Sequence, residues 1–219
     1  MIHEREPRDQ NQASEYTLTP EQLTTLWNAA TNSRDELVLK LLFWGALRAG
    51  DVAALDVRDV ELRGTDSAVL HIHDGKGRVS GDVELAGDIV GTLRRYTVSH
   101  FGRYDAGPLI ASAEYGPRYT RKAISVRSVQ DIVARTARRA GIANPNPQRT
   151  QLNSHIFRHT WARAALAAGV PIPVVQRQLR HRSSATTIDC YGTPSAAETQ
   201  RWVAFMVKQG GLTPPAAIT

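Results

Sequence analysis

The stretch QLNSHIFRHTWARAALAAGVPIPVVQRQLRHRSSATTIDCY, residues 151–191, decides how the rest of the chain is read. It predicts two helices joined by a short turn. Ser154 stands at the expected N-cap, and Gly169 suits the left-handed position that closes the first helix. Pro173 fits the first turn of the second, where a missing N–H costs nothing. Phe157, Trp161, Ala164 and Ala168 recur at helical spacing and are expected to face the core. His155 and Arg158, three apart, share another face. Two cationic donors on one rigid element thus turn a polar edge toward something anionic. His159 points elsewhere on the helix and reads as a supporting or core histidine.

Working outward, the charge of the chain is segregated. Residues 117–182 hold 13 Lys or Arg and one acid, Asp131, a net of +12, whereas the whole chain carries +6. A strongly basic face suits a polyphosphate partner, because each neutralised phosphate releases counterions. With 219 residues, 42% of them hydrophobic, a packed core is expected. The chain has no apolar run of membrane-spanning length, and MIHEREPRDQNQ has no signal-peptide core, so a soluble, cytoplasmic protein is expected. Cys190 is the only cysteine, and no Cys/His cluster has zinc spacing.

Along the chain, YTLTPEQLTTLWNAA opens the fold with Thr19 as cap, Pro20 at the first position and Gln22 closing a capping box. Leu23 and Leu26 begin its buried face. A largely apolar helix is expected over 34–47, with Arg48 at its end. An arginine placed that deep needs Asp51, a ligand anion, or both. From Ser67 the pattern changes to period two: AVLHIH and VSGDVEL flank DGKGR and predict a hairpin with Lys76 at its tip. Helices are expected over 88–100 and 126–140, the latter capped by Ser125. Val129, Ile132, Val133, Thr136 and Ala140 should face inward, with Arg127, Asp131, Arg135 and Arg138 outward. The expected fold class is mainly α with a small antiparallel β-sheet or hairpin (α+β).

Arg48, Lys76, His155, Arg158, His181 and Tyr191 form an ordered set spread over more than 140 residues. In this set the chain resembles the catalytic domain of the tyrosine recombinases, the phage-integrase family. LFWGALRAGDVAALDVRDV is similar to the family's first arginine box, and HIHDGKGR to its lysine hairpin. HIFRHTWARAALAAGV is similar to its His-x-x-Arg box, and LRHRSSATTIDCY to its closing box. The resemblance implies a catalytic domain over 17–208; the polar, unpatterned residues before it read as a tail over 1–16, and GGLTPPAAIT as part of a flexible tail over 209–219. The resemblance also implies a DNA recombinase or integrase working through a 3′-phosphotyrosyl intermediate, without metal or cofactor.

In the roles implied, Arg48 and Arg158 present planar forks to the phosphate oxygens, and His181 adds a donor where charge develops. Tyr191 is the nucleophile. Lys76 protonates the leaving 5′ oxygen, and His155 accepts a proton or positions Arg158. Double-stranded DNA is the implied partner, met by Arg121, Lys122, Arg127, Arg135, Arg138, Arg180 and Arg182. The expected assembly is a homotetramer on paired sites and a largely monomeric free protein. ETQRWVAFMVKQG, with Trp202, Phe205 and Met206 near helical spacing, reads either as a helix that packs on its own core or, as the resemblance implies, as a C-terminal helix that docks on a neighbouring protomer.

Three departures from the family pattern stand out. Leu179-Arg180-His181 puts an arginine where glycine is usual, and His181 to Tyr191 is one residue longer than is common. Only about 16 residues precede the first helix, which suggests a fragment or an unusually short enzyme. A type I topoisomerase is the nearest enzymatic alternative, and a duplex-binding module without catalysis is the alternative from another class. Trp44, Phe157 and Trp161 are expected in the core rather than as base-stacking platforms.

Overall fold

Helix formation begins where Thr19 and Gln22 satisfy each other's backbone. Thr19 Oγ1 accepts the Gln22 N–H at 3.2 Å, and Gln22 Oε1 accepts the Thr19 N–H at 2.9 Å. This is the expected capping box, and α1 runs Pro20–Asn28 with Leu23 and Leu26 buried. The computed structural model describes residues 16–73, 80–101, 106–112 and 122–181. The expected C-terminal helix with Trp202, Phe205 and Met206 lies outside them, as does Cys190.

Helix α2, Ser33–Trp44, is capped by Asn32 and buries every residue from Leu37 to Phe43. Each fully buried leucine there contributes about 1.5–3 kcal/mol. Lys40 is also buried, and its Nζ reaches Asp88 Oδ2 at 2.5 Å, Glu36 Oε1 at 2.7 Å and Thr92 Oγ1 at 3.0 Å. The helix stops three residues before the expected end. Gly45 caps it, and Ala46 takes a positive φ of 45°. Trp44, expected in the core, is 37% exposed and rests on Trp27 and Phe43 at ring separations of 6.2 and 4.9 Å.

A short helix α3, Ala49–Ala54, and a 3-10 turn, Val57–Asp59, lead into three antiparallel strands in the order β1-β2-β3. They are β1 Val60–Arg63, β2 Ser67–Ile72 and β3 Gly81–Ala86. The expected hairpin is β2–β3, with Leu70 opposite Val83. Strand β1, with Val60 opposite Leu70, was not expected from the sequence. In β3, buried Val83 and Leu85 alternate with exposed Asp82 and Glu84, the period-two pattern of a half-buried strand.

Helix α4, Asp88–Phe101, returns across α2, where the Lys40–Asp88 pair ties the two. Leu109 and Ile110 of the apolar PLIAS segment bury fully and bridge to Leu55 and Ile124 through backbone bonds of 2.8 and 3.0 Å. Helix α5, Val126–Arg139, starts on Ser125, whose Oγ accepts the Ser128 N–H at 3.0 Å. Its buried face is Val129, Ile132, Val133, Thr136 and Ala137, with Ala140 only partly buried. Two further helices, α6 His155–Ala167 and α7 Ile172–Leu179, complete the described fold.

On α6, Phe157 is buried and Trp161 half-buried, as a core face requires. Ala164 and Ala168 are exposed instead, because α7 crosses that part of the helix elsewhere, through Ala162. Ser154 occupies the cap position without capping. Its Oγ accepts from Gln130 Nε2 at 2.8 Å, which joins α5 to α6, and Asn153 Oδ1 takes the His155 N–H at 3.0 Å. Helices α5 and α6 close with the same device, a left-handed glycine (Gly141, φ 67°; Gly169, φ 82°). In each, the residue after the glycine donates five residues back, Ile142 to Ala137 and Val170 to Ala165. Among the described residues, no helix is long and apolar enough to cross a membrane.

Candidate active site

Arg158 is the centre of the site and is 5% exposed. One turn into α6, it faces inward rather than along the edge of His155. Its Nη1 donates to the Ala46 carbonyl at 2.5 Å, and its Nη2 donates to the Leu179 carbonyl. These bonds fix the plane of the guanidinium and explain the early end of α2: the left-handed Ala46 turns its carbonyl to meet Arg158. The loop after α2 and the end of α7 are thereby held on either side of one cation.

That loop carries Arg48 and the end of α7 carries His181. Arg48 is half-buried at the N-cap of α3. Its backbone N–H donates to Asp51 Oδ2 at 2.9 Å. No acid among the described residues pairs with its guanidinium. His181, half-buried, donates its backbone N–H to the Gln176 carbonyl at 3.1 Å. His155 opens α6 as an exposed residue whose ring is nonetheless crowded by protein.

Both imidazoles sit in the field of both arginines. Burial first, then Arg158 and Arg48, pushes His181 down to about 4. Burial, Arg158, Arg48 and Arg149 push His155 down in the same direction. At neutral pH His181 is therefore uncharged and can offer one ring N–H while its other nitrogen accepts. Beside it lies a groove of about 460 Å³ between Ser80, Gly81 and Asp82 on one side and Gln176, Arg177 and His181 on the other. It runs from the base of the β2–β3 hairpin to the end of α7. A site with two guanidinium groups and two neutral imidazoles is suited to hold an anion on which charge grows.

The structure thus brings together Arg48, His155, Arg158 and His181 from the expected set. Lys76 and Tyr191 lie outside the described residues, as do Arg121 and Arg182. Lys122, Arg127, Arg135 and Arg138 are exposed, with Arg127 Nε paired to Asp131 at 3.2 Å. Arg180 is a correction. Expected on the outward DNA-binding surface, it is 4% exposed, and its Nη2 donates to Asp51 Oδ2. Asp51 is 2% exposed, so its side-chain cation is Arg180 rather than Arg48. Arg149 and Arg177 were missed as neighbours of the two histidines. Neither could have been found from helical spacing, because Arg149 precedes α6 and the left-handed Arg180 puts His181 beyond the end of α7.

The end of α7 is also fastened to the sheet. The Gln178 side-chain amide accepts from the Glu84 N–H at 3.3 Å and donates to the Glu84 carbonyl at 2.9 Å, on the outer edge of β3. Helix α7 ends on the same backbone device as α5 and α6, with Arg180 where they have glycine: φ is 49°, and the following His181 donates five residues back.

The sequence profile of the phage integrase family matches residues 16–198, which take in every element of this site. The chain belongs to the phage integrase family. Among similar members, transposase A from transposon Tn554 of Staphylococcus aureus is 26% identical over 183 residues. That match takes in 80% of this chain and 48% of the transposase. The chain spans about half the length of the curated relatives it matches. Its fold is similar to the crystal structure of XerA recombinase, with a TM-score of 0.68 at 22% identity, over 91% of this chain and 66% of that one. It is also similar to XerH site-specific recombinase bound to difH substrate, with a TM-score of 0.64 at 18% identity, over 86% of this chain and 54% of that one. In this integrase-family fold, the small sheet and α7 form the walls of the groove beside His181, and Arg158 of α6 lies buried between the loop after α2 and the end of α7.

Proposed function

We propose that the chain cleaves and rejoins strands of double-stranded DNA as a site-specific recombinase, with Tyr191 as the nucleophile. The observation that supports this reading is the proximity of Arg48 and Arg158 to both His155 and His181, close enough for the two guanidinium groups to act on both imidazoles. Attack by the Tyr191 hydroxyl on the scissile phosphorus forms a 3′-phosphotyrosyl ester and releases the 5′ oxygen, which Lys76 protonates. Arg48 and Arg158 neutralise the nonbridging oxygens as their charge grows, and the neutral His181 donates its N–H to one of them. His155 accepts the tyrosyl proton or steadies Arg158. The ester conserves the energy of the broken bond, so rejoining follows by reversal with a new 5′ hydroxyl.

The ten-residue spacing from His181 to Tyr191, one more than is common in the family, favours a second reading, a duplex-binding module without catalysis. A suicide DNA substrate, nicked so that the released fragment diffuses away, separates the two. The expected result is a covalent adduct that resists denaturation and disappears in Tyr191→Phe, while noncovalent binding stays within about threefold. A gel shift without adduct supports the binder. An adduct persisting in Tyr191→Phe would move the nucleophile elsewhere; Tyr96, 2% exposed, is too buried to take the role.

A further inference from the structure

Glycine is the residue that ends a helix in the left-handed conformation at least cost, and Gly141 and Gly169 do so here. Ending α7 therefore does not call for an arginine. Position 180 nonetheless holds one in that conformation, with φ 49° and ψ 50°, and buries it. A buried cation survives only with a partner, and Asp51 supplies it.

The same carboxylate oxygen, Asp51 Oδ2, accepts both the Arg180 guanidinium and the Arg48 backbone N–H, the latter at 2.9 Å. Asp51 lies in α3, which begins immediately after Arg48. Arg180 directly precedes His181, and its backbone angles set the direction in which the chain leaves α7. Its stem also backs the hairpin: a Cβ built on Gly81 would lie 3.5 Å from Arg180 Cγ. One side chain therefore touches the elements that carry Arg48 and His181 and, at Gly81, the base of the β2–β3 hairpin.

We propose that Arg180, through its buried ion pair with Asp51, is a positioning residue that fixes the Arg48 loop and His181 relative to each other. Arg158 makes a parallel tie between the same two loops, from Ala46 to Leu179. Together the two ties close a frame around the phosphate site, and this is the role of the buried arginine. This inference rests on the reading of the site as a phosphodiester-cleaving centre.

The test compares the full chain with two variants, Arg180→Gly/Asp51→Asn and Arg180→Lys. The double variant removes one positive and one negative charge together and keeps an amide oxygen for the Arg48 N–H. The direct field on His181 is therefore nearly unchanged, and no buried charge is orphaned. Two quantities are read: the His181 titration by NMR in the free protein, and the single-turnover rate of adduct formation on saturating suicide DNA. In the wild type His181 should titrate well below the ordinary imidazole value, at about 4, pushed down by burial and by Arg158 and Arg48. In the double variant it should rise by roughly one pH unit or more toward the ordinary imidazole value as the loop loosens and water enters. Adduct formation should fall roughly ten- to a hundredfold, with DNA affinity changed by less than about threefold. Arg180→Lys, which keeps the charge but offers a single point of contact, should fall between.

A folded double variant with wild-type His181 titration overturns the proposal, whatever happens to affinity. If the double variant does not fold, Arg180→Lys decides: wild-type titration and rate overturn the proposal, and intermediate values support it. If the wild type forms no adduct, the recombinase reading fails by itself, and the His181 titration still decides the positioning role.

Discussion

Helices α6 and α7 stop in the same way and for different reasons. In each, the residue after the left-handed position donates five residues back, Val170 to Ala165 and His181 to Gln176. Gly169 does this freely in a half-exposed turn, whereas Arg180 does it buried beside Asp51. A non-glycine residue in that conformation gives up about 1–2 kcal/mol. The comparison teaches that a terminator can be a structural convenience at one helix end and a tie between functional loops at another. What separates them is which atoms surround the side chain, since the backbone geometry is shared.

The largest effect should come from breaking the arginine's side of the comparison. Asp51→Ala leaves Arg180 buried without its carboxylate and removes the acceptor for the Arg48 N–H. Stability should drop by about 3–5 kcal/mol, measured by urea unfolding at neutral pH. A loss below about 1 kcal/mol would mean that Arg180 finds another partner or reaches water, and that the tie is weak.

A smaller effect should follow from acid. His181 titrates near 4 in the folded chain and near 6.5 once unfolded, so between these values the unfolded chain binds the extra proton. The associated stability is present above about pH 6.5 and falls as pH is lowered toward 4, becoming level below that. His155, shifted the same way, adds to the slope. His71, whose titration is raised by its hydrogen bond to Asp82 and by Glu61, acts in a different window: its stabilisation is fully present below about pH 6.5 and is lost as pH rises above that. His181→Gln should flatten the profile between pH 6.5 and 4 in thermal unfolding. An unchanged profile would show that the ring is solvated in the native state.

The smallest effect belongs to the glycine end. Gly169→Ala should cost about 1–2 kcal/mol from the left-handed backbone alone and leave adduct formation at saturating DNA unaltered. A fall in adduct formation would place the α6–α7 turn in the same frame as Arg180.

Much of this was legible wherever a local rule and the tertiary environment agreed. Thr19, Pro20 and Gln22 announce α1 because cap, first turn and box involve neighbours only. The buried stripe of α5 reads cleanly because Arg127, Asp131, Arg135 and Arg138 mark its outer face. The four residues of β1, largely exposed, carry too little alternation to be seen. The early end of α2 was not legible because Ala46 is a good helix former held out of the helix by Arg158, 112 residues away. The same holds for Asp51. Sequence proximity suggested Arg48 as its cation, but the partner is 129 residues distant. Arg180 looked like surface charge because nothing in LRHRS reveals a buried carboxylate opposite it.

Gln178 has a consequence for the company the protein keeps. Among the described residues strand β3 is an edge of the sheet, and a bare edge is a template on which another chain can add a strand. The Gln178 amide occupies the Glu84 N–H and carbonyl as a neighbouring strand would, in the middle of that six-residue edge. The helix that ends at the candidate site therefore also occupies the backbone groups through which another strand would pair. Any change that lifts α7 from the hairpin would expose a sticky strand at the same moment that it disperses the site.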